Sequence, residues 1–267
     1  MGVEYFVKEL SSLSFENTFN PYSDRCEVYD ICDAPKKRSS MLEEMLIAAS
    51  EVEVDSIWIG RDLGYRGGRR TGLALTDDVH LSHHAERWGV EVGRLIKGQA
   101  ILERTAAVIW SVLEQITSPI FLWNVFPLHP HEPGVPFSNR VHNSRERMAG
   151  EELLEMLVDY LKPKKIVAIG NDAEKAAIRI KGHCKAMKVR HPSYGGQNIF
   201  LEQIRSIYNI EEMSALGSDH WSGIGLERAH PLPGMLGAGP AVPVRPDIAS
   251  GTGGEGGCFR SDPPGRA

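Results

Sequence analysis

Hydrophobic and polar positions along the chain follow two periods that take turns. Apolar runs of strand length stand at Ser56–Gly60 (SIWIG), Pro119–Val125 (PIFLWNV) and 165–169 (KIVAI). Each is short and almost continuously apolar, the pattern of a strand covered on both faces. A fourth strand is predicted at 185–190. Helical patterns lie between these runs. Ser39 or Ser40, with Glu43 three residues beyond the second, has the form of an N-cap and opens a helix through Ser50. A long helical pattern fills 85–116, with a break at Gly98, and further helices are predicted at 150–161, 171–181 and 197–208. The residues ahead of the Ser39 cap read as irregular.

Strands that alternate with helices imply an α/β fold. The expected architecture is a three-layer α/β/α sandwich around a central, mainly parallel, four-stranded sheet with right-handed crossovers. Ligands bind such sheets in the crevice beyond the carboxyl ends of the strands. The loops at that edge start at Gly60, Asn124, Gly170 and His191, so chemistry is expected there. Residues 217–267 hold 12 of the 27 glycines and 7 of the 16 prolines, with few large apolar side chains. Such a stretch buries too little surface to offset its ordering entropy. A single domain over 1–212 is therefore expected, followed by a disordered tail over 213–267 in which Trp221 docks locally. No internal repeat is evident.

Composition narrows the class. Apolar residues make up 42% and charged residues 24% of 267, the proportions of an ordinary globular protein. No apolar run reaches the roughly 18 residues of a spanning helix, so no membrane partner is expected. The N-terminal segment MGVEYFVKELSS lacks a basic start and an apolar stretch, which predicts a cytoplasmic protein without a secretory signal. Cys26, Cys32, Cys184 and Cys258 form no tight CxxC pair. That argues against a structural zinc site or a disulfide scaffold. The net charge of −5 is unevenly spread: residues 1–55 carry twelve acids and five bases, leaving +2 for the rest. Between Lys175 and Leu201 there are six bases and no acid, and Arg61, Arg66, Arg69 and Arg70 surround the single acid Asp62. These clusters suit contact with phosphates, and equally two solvated surfaces.

Each candidate site residue has an ordinary reading beside the functional one. Asp62, in Gly60-Arg61-Asp62-Leu63-Gly64, is a carboxylate at the crevice mouth, or a turn residue. Asn124 lies in an apolar strand, and its amide needs partners from a ligand or from the fold. Asn171 is an N-cap, with amides that can hold a phosphate. His191 precedes Pro192-Ser193 and a helix. His80, His83, His84, His129 and His131 lack the matching carboxylates of a metal site, and none is expected.

Taken in order on one sheet edge, these segments resemble the uracil-DNA glycosylase superfamily over about residues 35–210. Gly60–Gly64 is similar to its motif with the water-orienting group. Gly72-Leu73-Ala74-Leu75-Thr76 resembles the segment bearing the uracil-stacking side chain. Asn124 matches the asparagine that reads the uracil edge, Gly170-Asn171-Asp172-Ala173 the phosphate-contacting helix start, and His191-Pro192-Ser193 the second catalytic motif. There are departures. An aliphatic Leu75 replaces the stacking aromatic. The wedge leucine of the best-known branch falls at Gly195. No cysteine stands shortly after Asn124 and Cys258 lies in the tail, so this branch is expected to lack an iron–sulfur cluster and any other cofactor.

The resemblance implies a monomeric DNA repair enzyme that acts on uracil-containing DNA and hydrolyses the glycosidic bond of a flipped deoxyuridine with water. Asp62 and His191 are the expected catalytic residues. Asp62 orients the water and stabilises the sugar cation. His191, a neutral imidazole whose pKa the helix start and nearby bases lower, hydrogen-bonds uracil O2. Arg61, Leu63, Tyr65, Leu75 and Asn124 are expected around the base. Asn124 excludes cytosine, and Tyr65, with Leu63 behind it, excludes thymine. Arg66, Arg69, Arg70, Gly170, Asn171, Ser193, Tyr194 and the loop Pro127–Pro136 are expected to meet DNA. Two other readings stand beside this one. One is a non-catalytic DNA-binding module of the same fold. The other is a different α/β hydrolase or nucleotide-binding protein, although the GxSxG and GxxxxGK[ST] signatures are absent.

Overall fold

In the computed structural model, which describes residues 2–180 and 185–210, the chain forms α1 Val3–Ser12, β1 Thr18–Phe19, α2 Ala34–Ser50 and β2 Ser56–Asp62. Next come α3 Gly68–Thr71, α4 Leu81–Glu86, α5 Arg104–Leu113, β3 Ile120–Phe126 and β4 His129–Pro130. The last elements are α6 Ser144–Leu161, β5 Lys165–Ile169, α7 Asn171–Arg179, β6 Lys185–Val189 and α8 Gln197–Tyr208. Strands β3-β2-β5-β6 build one four-stranded sheet in that order, and every pairing in it is parallel. The expected α/β sandwich is therefore present. The tail expected at 213–267 lies outside the described residues.

Side-chain parity along the strands explains the three layers, because successive residues of a strand face opposite ways. Ile57, Ile59, Phe121, Trp123, Val125, Ile166 and Ala168 join the core under α1, α2 and α6. Trp58, Ile120, Leu122, Val167 and Ile169 join the second core with α5 and α8. Asn124 shares the parity of Ile120 and Leu122, so its side chain belongs to the α5–α8 side. In the β2–β3 register it pairs with Gly60. The order β3-β2-β5 reverses direction at β2. The loop after β2 leads toward α5 and the loop after β5 enters α7, which opens the crevice of a topological switch point between them.

Four expectations about elements are corrected. The irregular start contains α1, whose Val3, Phe6, Val7 and Leu10 are buried at helical spacing. Helix α2 begins at Ala34 rather than at Ser39 or Ser40, with Pro35 in its first turn, where a missing N–H costs nothing. Ser39 sits inside it and bonds back to the Pro35 carbonyl at 3.1 Å. The helix over 85–116, expected to break at Gly98, is interrupted over a longer stretch: α4 ends at Glu86, Gly89 and Gly98 both lie at positive φ, and α5 starts only after Glu103, whose side chain accepts from the Ala106 N–H. The predicted helix at 150–161 begins earlier, at Ser144. Asn143 and Glu146 form a capping box there, and Gly150 lets α6 lie so close to β3 that a Cβ would overlap the Val125 carbonyl.

Candidate active site

The loops after β2 and β5 and the turn before α8 meet in a cleft of about 650 Å³. Gly60, Arg61, Asp62, Leu63, Tyr65, Arg66, Leu75, Gly170, Asn171, His191, Ser193 and Tyr194 all line it. Segments separated by more than a hundred residues are thus brought together at the predicted sheet edge.

Asn124 lies just beneath the cleft floor. A Cβ at Gly60 would overlap its Oδ1 and come within 2.9 Å of the Leu75 side chain. Gly60, Leu75 and the Asn124 amide therefore touch at one point. Asn124 is 1% exposed. Among the described residues neither Oδ1 nor Nδ2 has a hydrogen-bond partner. Leu75 reaches this point through a left-handed backbone, φ 57°, which is uncommon outside glycine. Its carbonyl is held by the Trp110 indole N–H at 3.1 Å.

His191 packs beneath Gly170, whose own φ of 90° suits only glycine. The Nδ1 of His191 accepts from the Ser193 backbone N–H at 3.2 Å and lies 2.8 Å from the Ser193 hydroxyl. An Nδ1 that accepts from an amide carries no proton, so the ring proton of the neutral form is on Nε2. The pKa of His191 lies below the ordinary value of 6.5, chiefly through burial. Arg61 adds to this, Glu103 opposes it and Arg190 contributes last. Burial thus leads over the helix start and bases expected to do this. Ser193, expected on phosphate, is engaged with His191.

Asp62 has two partners. Its Oδ2 accepts from Arg61 Nε at 2.7 Å and its Oδ1 accepts from His142 Nδ1. Arg61 also stands 3.7 Å from Asp172. Tyr65 is fixed by its backbone N–H, which donates to Asn139, and its hydroxyl accepts from Arg66 Nε at 2.9 Å. Tyr194 projects from the rim, 97% exposed, at φ 51°.

Arg69 and Arg70, expected to meet DNA, do not line the cleft. The turn Gly67-Gly68 folds them inward, and both are buried. The Arg69 guanidinium lies over Phe19, 3.9 Å from the ring centroid, and donates to Tyr29, His129 and the Pro136 carbonyl. Arg70 pairs with Asp78 at 2.6 Å. No residue of the loop Pro127–Pro136 lines the cleft. His129 and Pro130 pair instead with β1, and His129 Nε2 lies 2.8 Å from the Ser138 carbonyl. Asn139, Arg140, Glu103 and Thr105 line the cleft as well. These four, and His142 behind Asp62, carry no motif of their own. The only sequence signal for His142 was its place beside the Asn143 cap.

Comparison with known proteins gives the fold and the family. The wild-type SMUG2 of Pedobacter heparinus is a solved structure with the same fold. The TM-score is 0.51 at 11% sequence identity, covering 78% of this chain and 96% of that one. A comparison with curated proteins finds no match. The model of the uracil DNA glycosylase superfamily matches residues 51–208, from the end of α2 through α8, and the chain belongs to that superfamily.

Proposed function

We propose that this DNA glycosylase hydrolyses the N-glycosidic bond of deoxyuridine in DNA, releasing uracil and leaving an abasic site. The observation that carries the reading is the unpaired, buried amide of Asn124 at the cleft floor. A buried polar group left without a partner costs about 1–3 kcal/mol, and a ligand edge that pairs both amide atoms recovers it. Uracil offers an N3–H donor to Oδ1 and an O4 acceptor to Nδ2. Cytosine offers the reverse at both positions, so it leaves both atoms opposed and is rejected.

Bond breaking leaves negative charge on the departing base and positive charge on the sugar. The Nε2–H of His191 is the donor for the base oxygen, and its lowered pKa keeps it a neutral hydrogen-bond donor. Asp62, a carboxylate beside the same cleft, orients the attacking water and stabilises the sugar cation. Leu75 supplies an aliphatic surface for the flipped base, and Tyr65, which lines the same cleft, is assigned the exclusion of the thymine methyl. The amides at Gly170 and Asn171, at the start of α7, suit a DNA phosphate, and Arg66 and Tyr194 extend the rim. No lysine is found among the described residues that line the cleft, so water is the nucleophile in this reading.

The test is a uracil-containing oligonucleotide, single- and double-stranded, incubated with the protein without added metal. Free base is measured by chromatography and abasic sites by alkali cleavage. Uracil release with intact strands before alkali is expected. Tight binding without release would point to the non-catalytic module, and release of another base would move the substrate assignment.

A further inference from the structure

Two donors from different parts of the chain hold the Asp62 carboxylate. Arg61 precedes it on β2. His142 comes from the turn that leads into α6. Both members of the His142–Asp62 pair are buried, with side chains 7% and 6% exposed. The imidazole is itself anchored. Its ring meets Phe126 edge-on, 6.1 Å between centroids at 63°. Its neighbour Asn143 is locked into the capping box with Glu146. Arg140 binds Glu146 Oε2 at 2.7 Å and the Glu16 carbonyl at 3.2 Å.

We propose that His142 is a positioning residue for Asp62, a role that rests on the reading of Asp62 as the water-orienting group. A carboxylate beside an arginine prefers to offer both oxygens to the guanidinium fork. Arg61 is partly exposed, at 41% for its side chain, and is free to follow such a turn of the Asp62 side chain. Both oxygens would then leave the cleft. Through its Nδ1–H, His142 holds Oδ1, so Arg61 engages only Oδ2. The second lone pair of Oδ1 remains for a water. Among the described residues no protein group bonds His142 Nε2, so the proton on Nδ1 is set by Asp62 alone.

The experiment compares wild type, His142→Phe and His142→Asn in single-turnover base release and in DNA affinity. The phenylalanine keeps the ring against Phe126 and removes the donor. The asparagine places an amide N–H where Nδ1 stood. His142→Phe is expected to slow release on the order of ten- to a hundredfold, with the DNA Kd within about twofold of wild type. His142→Asn is expected to regain most of the rate. A full-speed His142→Phe, or two variants equally slow, would overturn the proposal while leaving the reading of the cleft intact. A wild type that releases no base would overturn that reading and the proposal with it. Nitrogen-15 spectra of the wild-type imidazole give a check that needs no activity: a protonated Nδ1 that responds to Asp62→Ala is expected, and an Nε2–H tautomer would overturn the assignment.

Discussion

Asn124 and His191 do opposite things with their hydrogen-bonding capacity. Among the described residues the amide of Asn124 is left open on both atoms, whereas His191 has its Nδ1 filled by Ser193 and presents only a donor. Replacing Asn124 by Asp removes the donor to O4, and its protonated form accepts the pattern of cytosine. Asn124→Asp is therefore expected to lose uracil release by roughly 1–3 kcal/mol of transition-state stabilisation and to narrow the ratio of uracil to cytosine. Equal kinetics on both bases in wild type and mutant would mean that the amide is structural. The lowered pKa of His191 also has a sign. Its neutral donor form persists as pH falls through 6.5, so no loss of release rate from this group is expected in the ordinary histidine range. Proton NMR of the imidazole locates its titration; a value at or above 6.5 would contradict the burial argument. Both residues were legible because each stands in a short motif at a strand end. His142 was not, because its role depends on a fold contact with a residue 80 positions away.

At the level of elements, the cluster Arg61, Arg66, Arg69 and Arg70 divides in two. Arg61 and Arg66 line the cleft, while α3 turns Arg69 and Arg70 inward, where they tie α3 to the loops carrying Tyr29, Asp78 and Pro136. Arg66→Ala is expected to lower the dependence of log Kd on log salt by about one unit with little effect on melting. Arg69→Met is expected to leave the salt slope alone and to destabilise by about 1–3 kcal/mol, since the Tyr29 hydroxyl, His129 and the Pro136 carbonyl lose their donor. Salt titrations of DNA binding and urea unfolding of both variants separate the two roles. Charge counting could not make this division, since both kinds of arginine read alike in sequence. Helices show a similar limit. The sequence marked a break at Gly98, whereas the helix already stops ahead of Gly89, and both glycines lie at positive φ. The first-turn helix α1 was in plain view as Val3, Phe6, Val7 and Leu10.

Over the whole molecule, buried imidazoles make stability depend on acid. His84 and His129 have pKa values lowered from 6.5 to about 3, in both cases chiefly by burial, and His191 is lowered in the same sense. The folded protein then binds fewer protons than the unfolded chain below 6.5, so stability falls as pH drops. Glu146, lowered from 4.5, adds its loss only below that value, and Asp78, raised from 3.8 by burial, opposes the trend. In the window from 4.5 to 6.5 the decline is driven by the histidines. A urea midpoint that declines steadily across it is expected, and a flat profile would show that these rings are hydrated in the native state. At the same scale, a fragment ending at residue 216 is expected to keep its base-release activity, because the residues beyond it are rich in glycine and proline and poor in core-forming side chains. An inactive or insoluble fragment would assign them a role in the domain.

The sequence by itself determined the alternation of buried strands and helices, hence a parallel sheet and the edge at which its loops converge. It also determined the order in which Asp62, Asn124 and His191 arrive there. Those properties follow from local periodicity and from residues at strand ends, and both are written in short stretches of chain. Tertiary structure alone decided which polar groups are left unpaired and which are consumed. It closed α3 over two arginines and set His142 against Asp62. It also brought Gly60 and Leu75 against a buried amide. Each of these is a contact between segments distant in the chain, fixed by packing at a single register, and no local pattern encodes which side chain a neighbour from elsewhere will meet.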